Sequence, residues 1–138
     1  MIRKKIMLVG DDAVFAKAMS VKLQAESFET AITENGGTAV SAMRLFQPDL
    51  VIVDISFPPD VAHVGGVPWD GFLIVDWLRH IGTLEGIPVI LVTASDPAQY
   101  VERARKARVA GLFQKTVAPE VWMRTIHQLL DARSATAA

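Results

Sequence analysis

Leu50-Val51-Ile52-Val53-Asp54 is the stretch that decides the fold. An apolar run rich in β-branched residues proceeds without alternation and stops at a carboxylate. A strand wet on one face alternates apolar with polar side chains, whereas a continuous run requires cover on both faces, as in a parallel sheet flanked by helices. Met7-Leu8-Val9 and Val89-Ile90-Leu91-Val92 have the same form. Working outward, strands are expected at Ile6–Val9, Phe28–Thr33, Leu50–Val53, Val89–Val92 and Gly111–Phe113. The second is more mixed and the fifth weaker, which suits positions nearer the sheet edges. Helical patterns fill the intervals. Residues 13–26 place Phe15, Met19 and Leu23 on one stripe, with Val14, Ala18 and Val21 beside it, and Asp12 stands ready to cap them. Residues 37–46 offer Val40, Met43 and Phe46, and Pro48 ends the segment. Residues 71–81 offer Ile74, Trp77, Leu78 and Ile81, and residues 97–108 offer Ala98, Val101 and Ala104. Residues 118–132 offer Trp122, Ile126, Leu129 and Leu130, with Pro119 near the start, where proline is tolerated. A strand–helix unit repeated five times is an α/β domain. Right-handed crossovers wind its helices onto both faces of one sheet.

Composition narrows the function. The chain has 138 residues, 51% of them hydrophobic, enough for one compact core and too apolar for disorder. Fourteen basic against fifteen acidic side chains leave a net charge of −1, which argues against direct binding of nucleic-acid backbones. With no cysteine, thiolate catalysis and cysteine-ligated metals are excluded. No apolar run approaches the roughly 20 residues of a membrane span. The basic N-terminus runs into Asp11-Asp12 and reads as a strand, not a signal peptide, so a cytoplasmic domain is expected. Residues 1–132 are expected to form the domain, with 133–138 a flexible tail.

Open α/β sheets bind ligands beyond the carboxyl ends of their strands. Those ends carry Asp11 and Asp12, Asp54, Thr93 and Lys115. Crowded carboxylates repel one another, and a hard divalent cation such as magnesium relieves the repulsion. Magnesium keeps several waters and phosphate oxygens, which leaves one carboxylate able to attack phosphorus and form an acyl phosphate. Such transfer depends mainly on in-line positioning and charge neutralisation, which a lysine and a hydroxyl can supply. Taken singly, each residue has a plain reading: a helix-capping aspartate, a strand-end threonine, a solvated lysine. Asp54 is harder to dismiss, because an unpaired carboxylate beside a core is costly.

The ordered set Ile6–Asp12, Pro48–Asp54, Pro58, Asp70-Gly71, Ile87–Ala94 and Lys115 resembles the receiver domain of bacterial two-component response regulators, of the chemotaxis-regulator type. The resemblance covers about residues 4–131. It implies a flavodoxin-like sheet of order 2-1-3-4-5. It implies a phosphorylation-dependent switch that accepts a phosphoryl group on Asp54 from a sensor histidine kinase or histidine phosphotransfer protein. Asp12 then corresponds to a direct Mg2+ ligand, Asp11 to a carboxylate holding the ion through water, and Asp54 and the Ser56 backbone carbonyl to further ligands. Thr93 corresponds to the hydroxyl that binds a phosphoryl oxygen, and Lys115 to the ammonium that pairs with the acceptor. Slow self-phosphorylation and self-dephosphorylation, and a downstream protein effector or output domain, are implied as well. The alternative is a receiver-like interaction module that works without phosphorylation. A flavodoxin-like cofactor binder is disfavoured, since Asp11 and Asp12 would repel a phosphate at the first strand end.

Three departures from the family pattern stand out. Thr116 follows the lysine where proline is usual, so Lys115 is open to being aimed differently. Leu112 takes the place of the switch aromatic, with Phe113 expected on the opposite face of the strand. Residues 58–69 extend the loop after Asp54 by about nine residues, and a loop of this kind is often functional. Folded partly over Asp54 and anchored by Val67 and Trp69, it would alter phosphate lifetime; a surface elaboration is the competing reading. His63 within it and His80 and His127 elsewhere lack metal-ligand spacing. Trp77 and Trp122 are expected in the core. Arg103, Arg105, Lys106 and Arg108 read first as a solvated helix face and second as a docking surface. Arg105 and Arg108 are expected on one side, and Arg103 and Lys106 on another.

Overall fold

A computed structural model describes residues 3–34, 36–55, 71–80 and 86–137, with backbone alone at 36–37 and 133–137. The chain order is β1 (Lys5–Val9), α1 (Ala13–Ala25), β2 (Glu29–Thr33), α2 (Gly36–Phe46), β3 (Leu50–Asp54), α3 (Gly71–Leu78), β4 (Val89–Thr93), a 3-10 turn (Pro97–Tyr100), α4 (Val101–Lys106), β5 (Gly111–Gln114) and α5 (Pro119–Ala137). All strands pair in parallel, in the order β2-β1-β3-β4-β5. This is the doubly wound sheet that the continuous apolar runs require.

Strand side chains alternate between the two faces, and over the three central strands both faces are dry. Ile6, Leu8, Leu50, Ile52, Ile90 and Val92 pack with Met19 and Leu23 of α1 and Trp122, Ile126 and Leu130 of α5. Met7, Val9, Val51, Val53, Val89 and Leu91 pack on the other side, against Ala39 and Met43 of α2, Ile74, Val75 and Leu78 of α3, and Ala104 of α4. β1, β3 and β4 therefore lack a polar face because neither side meets water, whereas β2 and β5 at the edges stay partly exposed.

Several helical expectations need correction. α1 buries Ala16, Met19, Ser20 and Leu23, whereas Val14 and Val21 are 82% and 56% exposed and Ala18 is exposed. Ser20 can enter the buried stripe because its hydroxyl is paired with Thr30 Oγ1 at 2.7 Å and accepts from Gln24 at 3.2 Å. Trp77 is 44% exposed, one position off the stripe of Ile74, Val75 and Leu78. Trp122 is buried as expected. The helix expected over 97–108 is divided: Asp96 caps a 3-10 turn that starts at Pro97, and α4 is only six residues long. This change of winding leaves Val101 45% exposed while Ala104 stays buried. At the C-terminus, α5 continues to Ala137, through the segment set apart as a tail. Its alanines are the best helix formers available. Ile81 lies outside the described residues.

The end of α4 carries an unusual residue. Arg108 has φ 58°, the left-handed region, while the N–H groups of Arg108 and Val109 close the last turn onto Arg105 O and Ala104 O. A side chain there costs about 1–2 kcal/mol, and glycine avoids the clash at the expense of unfolded-chain entropy. Arg108→Gly is expected to raise stability by roughly 0.5–1 kcal/mol, read as a higher urea midpoint at unchanged slope.

Candidate functional site

The parallel sheet brings the carboxyl ends of β1, β3, β4 and β5 to one edge, and alternation then sorts the side chains. Asp54 continues the row of Leu50 and Ile52, so it faces the α1 side. Lys115, one residue beyond β5 and in step with Phe113, faces the same side. Thr93 continues the row of Val89 and Leu91, toward α3 and α4.

Asp54 is only 4% exposed, and Lys115 Nζ donates to its Oδ2 at 2.6 Å. The same ammonium donates to Asp12 Oδ2 at 3.0 Å. Asp12 divides its work: Oδ1 accepts from the Phe15 N–H at 3.1 Å and caps α1, while Oδ2 holds the lysine. The Lys115 hydrogen bond and the Phe15 N–H hold the Asp12 carboxyl below its ordinary range, against a smaller opposing effect of burial. Burial pulls the Lys115 ammonium down, but hydrogen bonds and charge from Asp54 and Asp12 outweigh it, and the net shift is upward. Lys115 is therefore a fixed cation at neutral pH. Its Nζ also lies 5.1 Å from the centre of the Phe15 ring, within cation–π range.

Thr93 is fully buried, and its Oγ1 accepts from the Ser95 N–H at 3.0 Å. Its carbonyl accepts from the Lys115 N–H at 2.8 Å, which extends the β4–β5 ladder by one rung and fixes the root of the lysine. Asp11 is exposed at the rim. Among the described residues no three acidic or histidine side chains form a group able to hold an ion unaided. Asp12 and Asp54 are instead bridged by Lys115. Ser56, Pro58, His63, Val67, Trp69, Asp70 and the 58–69 loop lie outside the described residues. His127 is exposed, with Nε2 3.5 Å from Glu26 Oε1.

Two glycines shape the surroundings of Asp54. A Cβ on Gly10 would stand 2.9 Å from Asp54 Cβ. A Cβ on Gly71 would stand 2.7 Å from Asp54 O and 2.9 Å from Ile55 Cα. The absence of side chains lets β1 and the start of α3 close on the end of β3. Neither Phe15 nor Gly10 stands out from the sequence as a site residue, because Phe15 reads as an ordinary position on the α1 stripe and Gly10 lies within the Ile6–Asp12 run with no chemistry of its own.

Residues 6–127 match the family described as the response regulator receiver domain. The chain belongs to that family. This receiver domain is 30% identical to the polar-differentiation response regulator DivK of Brucella anthropi over 127 residues, 92% of this chain and 96% of DivK. It is 31% identical over 93 residues to the DNA-binding response regulator MtrA of Mycobacterium tuberculosis, a match that takes in 67% of this chain and 36% of MtrA. Among solved structures it resembles a CheY-like receiver from Methanospirillum hungatei, with TM-score 0.82 and 19% identity over 98% of this chain and 99% of that one. It also resembles the BeF3-activated receiver of Klebsiella pneumoniae RstA, with TM-score 0.78 and 24% identity over 92% and 98% of the two chains. The receiver thus belongs to two-component signalling. No helix among the described residues is long and apolar enough to cross a membrane.

The family's usual features at two positions are absent without disturbing the lysine. No cis peptide occurs among the described residues, and with Thr116 following it Lys115 still reaches Asp54. Leu112 packs on the α2–α4 side and Phe113 on the α1–α5 side, the opposite faces expected. On the side shared with Thr93, β5 therefore presents the aliphatic Leu112 and not a ring.

Proposed function

We propose that this receiver accepts a phosphoryl group on Asp54 and acts as a phosphorylation-dependent switch. The observation that carries this reading is the buried Asp54 carboxylate held at 2.6 Å by Lys115, at the strand ends and beside Asp12. A buried carboxylate with a fixed cation is a positioned nucleophile whose product charge is already met. In the transfer, an Asp54 carboxylate oxygen forms a bond to phosphorus while the bond from phosphorus to the donor's imidazole nitrogen breaks. The imidazole leaves with the electron pair, and an acyl phosphate remains. Lys115 passes from the carboxylate to the phosphoryl oxygens, and the Thr93 hydroxyl, from a buried strand end, donates to another.

The oxygen donors suit Mg2+: Asp12 and Asp54 supply hard carboxylates whose Oδ2 atoms both converge on the Lys115 ammonium. Asp11, Asp12, Asp54 and the Ser56 carbonyl are the residues proposed to hold it, Asp11 through water. When bound, the ion neutralises charge building on the phosphoryl oxygens. The donor is proposed to be a sensor histidine kinase or a histidine phosphotransfer protein in the cytoplasm. Val14, exposed two residues after Asp12, gives such a partner an apolar foothold at the pocket rim. The added charge of about −1.5 to −2 then biases a two-state equilibrium read by a protein effector or output domain.

Acetyl phosphate with Mg2+ tests the reading. Intact mass spectrometry is expected to show one added phosphoryl group on the wild-type chain and none on Asp54→Asn, with chelation of Mg2+ abolishing the signal. No added mass on the wild type, or equal labelling of Asp54→Asn, would show that Asp54 is not the acceptor.

A further inference from the structure

On the side of the sheet away from α1, α3 and α4 border an open cleft of about 800 Å³. Beneath it lie Phe72 and Val75 of α3, both buried, and Ala107 just past α4 is half-buried at its surface. Its walls carry Arg79, Arg103, Lys106 and Arg108, and among the described lining residues the acid Asp76 alone opposes them. In a chain of net charge −1, this is a local reversal of sign.

The fold holds these cations together against their repulsion. Burial, and then the nearby charge of Arg108, push the Arg79 guanidinium down. Arg79 is fixed by donating to Ile87 O at 2.8 Å and to Arg108 O at 3.0 Å. Arg103 lies over the Phe72 ring, its guanidinium carbon 4.0 Å from the centroid. Arg108 occupies its left-handed position at a cost in stability. The arrangement also revises the pairing expected from a continuous helix. α4 stops at Lys106, and the turn at Arg108 puts that residue in the cleft with Arg103 and Lys106. Arg105 is left on the solvent side, 3.4 Å from Glu102.

We propose that the α3–α4 cleft docks an acidic segment of a protein partner. Carboxylates of the segment meet Arg103, Lys106 and Arg108, and its apolar side chains lie on Ala107 and along the methylene stems of the basic residues. Charge complementarity selects the acidic partner, and separate cations on aliphatic stems suit a peptide segment. A nucleic acid would require a longer cationic track than these few residues provide. The site is separate from the Asp54 pocket and does not rest on phosphoryl transfer.

The test uses the full chain and a short fluorescein-labelled peptide of glutamates interspersed with leucines, followed by fluorescence anisotropy. Lys106→Glu is expected to weaken binding about tenfold, whereas Arg105→Glu, the same charge change on the neighbouring residue, should alter it less than about twofold. Arg108→Gly should weaken binding about threefold in a protein at least as stable as the wild type, which separates lost recognition from lost folding. Amide shifts in 15N NMR spectra should map to residues 72–79 and 101–108. Failure of the peptide to bind, equal losses in Lys106→Glu and Arg105→Glu, or shifts confined elsewhere would overturn the proposal. So would a DNA oligonucleotide that binds the cleft as tightly and responds to the same variants.

Discussion

Lys115→Met is expected to destabilise the receiver by about 3 kcal/mol and to eliminate phosphoryl transfer from acetyl phosphate. The side chain removed is 12% exposed, and the carboxylate it leaves behind on Asp54 is 5% exposed. Breaking a buried pair from one side leaves an uncompensated charge in a medium that solvates it poorly. Removing both partners is far cheaper. The double variant Lys115→Met/Asp54→Asn should therefore recover most of the lost stability while remaining unable to take up phosphate. Urea denaturation of the four proteins in this cycle measures the coupling directly. If Lys115→Met melts within about 0.5 kcal/mol of the wild type, the pair is solvated in solution and the preorganised acceptor is lost as an explanation. Asp12→Ala should cost less, because Asp12 is partly exposed and its loss leaves Lys115 one carboxylate. It would, however, also remove the cap of α1, worth about 1 kcal/mol.

Gly71→Ala is expected to cost about 2–3 kcal/mol and to cut labelling of Asp54 severely. The new methyl would meet backbone at Asp54 and Ile55, which cannot rotate aside as a side-chain tip can. Either α3 lifts from β3 or the end of β3 shifts, and Asp54 sits at that end. Gly71 N also donates weakly to Ile55 O at 3.4 Å, a link that the displacement would stretch. Denaturant melts report the first effect and initial labelling rates the second. Wild-type rates in a destabilised Gly71→Ala would show that the close approach serves packing alone.

The strands were legible because a parallel sheet buried on both sides writes itself as unbroken apolar runs. Leu50–Val53 and Val89–Val92 carry that signature with no polar interruption, and the site residues followed as the side chains at the strand ends. The helical faces were less legible. Val14 and Val21 are apolar yet exposed, and Ser20 is polar yet buried, because which stripe of α1 faces the sheet depends on its docking angle and on the Thr30 hydroxyl across the gap. Trp77 was misplaced for a related reason. Hydrophobicity marks what can be buried, whereas packing decides what is.

By itself the sequence determined the α/β class, the five strands and the edge of the sheet at which Asp12, Asp54, Thr93 and Lys115 end. Those features depend on residue order, on unbroken apolar runs and on helical spacing, which are local. Only the tertiary structure decided that Lys115 bridges Asp54 and Asp12, that Phe15 flanks its ammonium, and that Arg108 turns into a cleft with Arg103 and Lys106. Those contacts join residues far apart in the chain, or depend on where a helix stops. Distances of this kind are fixed by the packing of whole elements, not by the spacing of letters.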